Sequence, residues 1–145
     1  MANNTESDWR DQLSLANQEL GDAPDDFNTI NRESLDYIKK MITWAQNIRL
    51  PLRHVWEEAR DREDYIMMDK IQDAFQPSFE IRFFLDRITV EINQAEANLV
   101  INDLNWDDYP ILSELVVSVM NASQLINEIL YDLGRATLRV FYFRN

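Results

Sequence analysis

PILSELVVSVMNASQLINEILYDLG, residues 110–134, is the stretch that decides the fold. Leu112, Leu115, Val119, Ala122, Ile126, Ile129 and Leu133 recur three and four residues apart, the spacing of one face of an α-helix. Val116, Val117, Met120, Leu125 and Leu130 widen that face until only Glu114, Ser118, Asn121, Glu128 and Asp132 remain as a narrow polar strip. A helix this apolar is the buried member of a bundle. Its polar interruptions exclude an ordinary membrane span. Pro110 suits the first helical turn, and Gly134 suits the left-handed residue that ends one.

Outward from this helix, each segment carries the same period. Ile81, Phe84, Leu85, Ile88, Ile92, Ala95 and Leu99 mark a long amphipathic helix after Pro77. Leu35, Ile38, Ile42, Ala45 and Ile48 mark another, which Pro51 ends or kinks before Leu52, Val55, Trp56 and Ala59 continue the pattern. Five consecutive charged residues, Arg60 to Asp64, precede Ile66, Met67, Ile71, Ala74 and Phe75. Trp9, Leu13, Ala16 and Leu20 form a short stripe ending at Gly21, and residues 21–31 read as a loop. Leu138 to Phe143 is apolar and aromatic on every side and needs a cover from this chain or another. The expected fold is all-α: a four- to five-helix antiparallel bundle with a kink at Pro51 and a short aromatic C-terminal segment. A single helical domain spans 1–145, with 1–21 as a candidate N-terminal arm helix.

Charge is segregated. The chain has 26 acidic and 14 basic residues. No base lies between Arg87 and Arg135, where Glu91, Glu96, Asp103, Asp107, Asp108, Glu114, Glu128 and Asp132 all fall. Such a field disfavours direct contact with nucleic acid or anionic lipid, because phosphate recognition needs Lys and Arg. The chain has no cysteine, hence no disulfide framework, zinc-thiolate site or thiol nucleophile. The first residues lack the basic and apolar regions of a signal peptide, so a cytoplasmic location is expected. With two glycines, both after helices, no phosphate-cradling loop can be built, and no cofactor is expected.

Three segments could carry chemistry. His54, Glu57, Glu58 and Asp61 share one helix face and combine imidazole with carboxylates, a common ligand set. The i,i+4 pairs Arg53–Glu57, Glu58–Arg62 and Arg60–Asp64 favour an ordinary solvated face instead, and no metal site is expected. Asp103-Leu-Asn105-Trp-Asp107 with Glu114 at position twelve matches a calcium-loop spacing, but Asp108 stands where that loop needs glycine and Pro110 where it needs an N–H. The alternative is an acidic loop whose Asp residues cap the next helix. In the same loop Trp106 and Tyr109 sit among Asp103, Asp107 and Asp108, the make-up of a protein-binding epitope with aromatic anchors and steering charge.

Arg49-Leu50-Pro51-Leu52-Arg53-His54 has an Arg-x4-His spacing. Over those six residues the chain resembles HEPN ribonucleases. That resemblance implies a helical bundle in which Arg49 and His54 act on RNA across a dimer. The family usually has a polar residue after the Arg, where this chain has Leu50.

The leading expectation is an acidic, non-enzymatic protein-binding module of the inhibitor, antitoxin, immunity-protein or adaptor kind. It would engage a basic-surfaced protein, such as a nucleic-acid enzyme or toxin, through Asp103, Trp106, Asp107, Asp108, Tyr109 and Glu114. The alternatives are a HEPN-like ribonuclease and a self-associating structural protein. For a homodimer, the candidate contacts are Trp9 and Leu13 at one end of the chain and Phe141 and Phe143 at the other.

Overall fold

A computed structural model describes residues 8–134. The fold is all-α. Its helices are α1 (Asp8–Leu20), α2 (Arg32–Asn47), α3 (Arg49–Asp61), α4 (Tyr65–Ala74), α5 (Gln76–Asn98) and α6 (Pro110–Asp132), with one 3-10 turn, Trp106–Asp108, before α6. Prolines divide two longer runs, so the expected all-α bundle is written in six helical segments among the described residues. Pro51 offers no N–H to the Asn47 carbonyl, so the break falls at Ile48 rather than at the proline itself. Pro77 acts in the same way on the run that breaks at Phe75.

Residues 110–132 form the buried helix their pattern predicts. Leu112, Leu115, Val119, Ile126 and Ile129 are sealed among α1, α2, α4 and α5. Two neighbours depart from expectation. Val117 faces outward on α6, and on α5 Phe84 and Leu85 are exposed although they lie on the predicted stripe. The reason is a break in α5 at Phe84, whose backbone is non-helical (φ −117°, ψ 19°). Ile81 and Ile88 on either side stay buried while residues 82–87 are exposed.

Polar groups fix how the helices meet. Asn17 of α1 accepts from the Trp44 indole of α2 (2.9 Å) and donates to the Ser123 carbonyl of α6 (3.1 Å), all in the interior. Asn31 caps α2 by accepting from the Ser34 amide, and Asp64 caps α4 by accepting from the Met67 amide. The first turn of α6 has no local side-chain cap. Instead the Glu91 carboxylate of α5 accepts from the Ile111 and Leu112 amides, placing negative charge at the positive end of the helix dipole. Among the described residues, no helix is long and apolar enough to cross a membrane.

Candidate functional site

The loop expected to be an epitope closes one end of the bundle. Ile30 and Leu104 form an isolated antiparallel bridge, exchanging backbone hydrogen bonds of 2.8 and 2.9 Å, which ties the 21–31 loop to the 99–109 loop. Trp106 then turns inward: its indole donates to the Phe27 carbonyl (3.0 Å) and its ring meets Phe27 edge-on at 5.1 Å. Tyr109 is 4% exposed, and its hydroxyl accepts from Asn98. Tyr109 therefore cannot serve as an exposed anchor, and Trp106 is half-buried and committed to the fold. Both corrections follow from the bridge, a long-range contact with no local sequence signal.

The acidic residues of this set separate. Asp103, Asp107 and Asp108 remain exposed on the loop. Asp103 accepts from the Thr29 hydroxyl, and Asn105 caps the 3-10 turn by accepting from the Asp107 amide. Glu114 points elsewhere, into a groove between α4–α5 and α6. Position twelve of the calcium-like spacing thus lies apart from the loop. Among the described residues, no three His, Asp or Glu side chains converge to hold a metal ion.

The Arg49–His54 pair is also separated. Five residues along an α-helix place two side chains about 140° apart around its axis. The His54 ring is stacked flat on Trp9, with centroids 3.9 Å apart and planes 4° apart, and its Nδ1 lies 3.7 Å from Glu57. Arg10 pairs with Glu58, joining α1 to α3 beside that stack. Of the three expected i,i+4 pairs, Arg53–Glu57 forms, while Glu58 turns to Arg10 and Arg60 to Asp61 and the Trp56 face.

The dimer candidates at the first helix are largely used up within the chain. Leu13 is fully buried, which removes it as a contact for a second copy, and Trp9 is occupied by His54. The helix expected as an arm packs on α2, α3 and α6. Phe141 and Phe143 lie outside the described residues.

The groove itself was not foreseen. It encloses about 670 Å³. Gln72, Asp73, Gln76 and Glu80 form one wall; Glu114, Val117, Ser118 and Asn121 form the other. Among the described residues, neither wall contributes a base. Asp73, Glu80 and Glu114 have no Lys or Arg partner among the described residues. The Ser118 hydroxyl oxygen in the wall is buried without a hydrogen-bond partner. Apolar side chains accompany it: Val117 within the wall is 49% exposed, and Phe79 and Phe83, flanking Glu80 on α5, are 49% and 74% exposed. Sequence reading missed this site because Phe79 and Phe83 lie off the α5 stripe, and because its carboxylates come from three different helices.

Most other acids in the base-free stretch have structural partners. Glu96 meets Lys39 and Arg32, and Glu128 and Asp132 meet Lys70. The hydrogen bond and charge of Lys39 hold the Glu96 carboxyl below its usual range. No family model, curated protein or solved structure matches this chain.

Proposed function

We propose that this chain is a non-enzymatic, acidic protein-binding module, and that the groove between α4–α5 and α6 receives a basic, partly apolar segment of a partner protein. The observation that supports it is the groove's make-up: three carboxylates without a Lys or Arg partner among the described residues, beside exposed Val117, with exposed Phe79 and Phe83 flanking Glu80 along α5. Unpaired carboxylates steer a cationic partner from a distance, while apolar side chains supply affinity once water is expelled. Such a surface suits a partner whose basic face otherwise meets phosphate, which would place this acidic chain in the inhibitor, antitoxin or adaptor class.

The test is capture from native host lysate on three immobilised forms: wild type, Asp73→Lys/Glu80→Lys/Glu114→Lys, and Asp103→Lys/Asp107→Lys/Asp108→Lys. A basic protein held by wild type and the loop variant at low salt, but lost on the groove variant and weakened by salt, is the expected result. Capture indifferent to salt and to both reversals would refute the reading. Loss on the loop variant alone would move the interface to the bundle end.

A further inference from the structure

The outer side of α5 is a second apolar surface. Phe79, Phe83, Phe84, Leu85 and Val90 are each between 41% and 74% exposed. Ile81 and Ile88, seven residues apart across the break at Phe84, both stay buried, so the helix keeps its rotational phase through that break. At about 100° per residue, Phe79, Phe83 and Val90 therefore share one outward stripe with Asp86. An aromatic side chain can bury about 150–250 Å², which puts the uncovered surface of the five apolar residues at roughly 500 Å². A stable interface needs about that much: it takes about 800 Å² from each partner, of which about 55–65% is apolar.

Charge identifies the occupant. The chain has a net charge of -12, whereas residues 79–90 hold two acids, Glu80 and Asp86, and two bases, Arg82 and Arg87. A second copy can approach this face without the like-charge repulsion that the rest of the chain imposes. Neither arginine meets a carboxylate among the described residues; Arg87 lies over the Phe84 ring, 5.9 Å from its centroid.

The order of these charges is self-complementary. Glu80 and Arg87 fall on one flank of the stripe, and Arg82 and Asp86 on the other. When two copies of α5 cross antiparallel, each flank meets the same flank of the other copy in reverse order. With the two-fold axis between Phe83 and Phe84, Glu80 faces Arg87 of the second copy and Arg82 faces its Asp86, and symmetry makes each pair twice. The phenylalanines then meet at the axis, where the apolar centre of an interface belongs.

We propose that α5 is a dimer face, on which two copies of this chain cross antiparallel at Phe83 and Phe84 and are registered by the Glu80–Arg87 and Arg82–Asp86 pairs. The inference stands apart from the groove reading. The two surfaces share Glu80, Phe79 and Phe83, so dimerisation withdraws these side chains from a partner in the groove.

Sedimentation velocity on the full chain across a range of concentrations tests it. Wild type should pass from monomer to dimer as concentration rises. Glu80→Arg sets Arg against Arg across the axis, and Arg87→Glu sets Glu against Glu. Each alone should weaken the dimer about tenfold, while an equimolar mixture of the two restores both pairs and should dimerise like wild type. Phe83→Ser should stay monomeric where wild type is dimeric. None of the three positions is buried, and the mixture controls for folding, since misfolded chains would not rescue each other. A wild type that stays monomeric throughout, or a dimer indifferent to all three substitutions, would overturn the proposal. So would a dimer that Phe83→Ser abolishes but the mixture fails to restore, because the antiparallel register would then be wrong. The measurement uses the chain alone, so its failure leaves the groove reading standing, and failed partner capture leaves the dimer standing.

Discussion

Trp106→Ala separates the two roles that sequence allows this residue, a plug for the bundle end or an anchor for a partner. Full truncation of a buried tryptophan costs about 3–5 kcal/mol, and half-burial reduces that to about 2. Loss of the hydrogen bond from the indole to the Phe27 carbonyl (3.0 Å) adds about 1 kcal/mol. The edge-on contact with Phe27 adds about 0.5 kcal/mol more. The expected loss is therefore about 3.5 kcal/mol, a large share of a stability of about 5–15 kcal/mol. For a chain of this size it lowers the melting temperature by about 10 °C. Trp106→Phe keeps a ring against Phe27 and loses the donor, so it should cost about 1 kcal/mol. Circular dichroism at helical wavelengths, followed through urea and thermal melts, measures both without interference from the other three tryptophans. If Trp106→Ala melts within about 0.5 kcal/mol of wild type, a shift typical of ordinary surface positions, the plug assignment is wrong and the ring is free to meet a partner.

Other perturbations test the interior and its titrating groups. Asn17→Ala strands the Trp44 indole N–H and should cost about 2–3 kcal/mol, whereas Trp44→Phe in that background should add little beyond its lost packing; a double-mutant cycle with no coupling would show that the two do not act together. The Tyr37 hydroxyl is pushed up to about 12, first by burial and then by Asp22. The unfolded chain then releases this proton first, so stability should be intact below about pH 10 and decline as pH rises toward the folded value; urea midpoints across that window should flatten in Tyr37→Phe. Glu96 has the opposite sign: its lowered value lends stability above the ordinary carboxylate range that fades as pH falls through the folded value, and an NMR titration should place its midpoint below that of an unpaired Glu.

The helices were legible because periodicity is local. The spacing within residues 110–134 predicts both the helix and its burial, and Pro51 and Pro77 announce the two breaks to within a few residues. What sequence could not show depends on pairs far apart in the chain. The Ile30–Leu104 bridge joins loops more than seventy positions apart and turns Trp106 inward. Trp9 reads as a stripe residue open to a second copy, and His54 as part of a solvated face, until α1 lies against α3. The exposed side of α5 was hidden for a different reason. Nothing local, neither proline nor glycine, marks the break at Phe84 that leaves Phe83, Phe84 and Leu85 uncovered.

The charge layout changes meaning once folded. Along the chain, residues 88–134 are acidic without relief. In space, Lys70, Lys39 and Arg32 arrive from α2 and α4 to meet Glu128, Asp132 and Glu96, and Glu91 serves the first turn of α6. The exposed charge left over falls on the loop, at Asp103, Asp107 and Asp108, and on the groove, where Glu114 joins Asp73 and Glu80. These places offer a partner different physics. On the loop the aromatic side chains are spent inward, so a partner there would meet solvated carboxylates whose attraction salt screens almost completely. At the groove the same charge has exposed Val117 in the wall and exposed Phe79 and Phe83 flanking Glu80 along α5, and burial of such side chains is insensitive to screening. A groove complex should therefore lose association rate as salt rises yet keep a residual affinity, and Phe83→Ser should remove that residue of binding while leaving the salt slope unchanged. If Phe83→Ser instead leaves affinity at high salt intact, the apolar edge takes no part, and the binding is carried by charge alone.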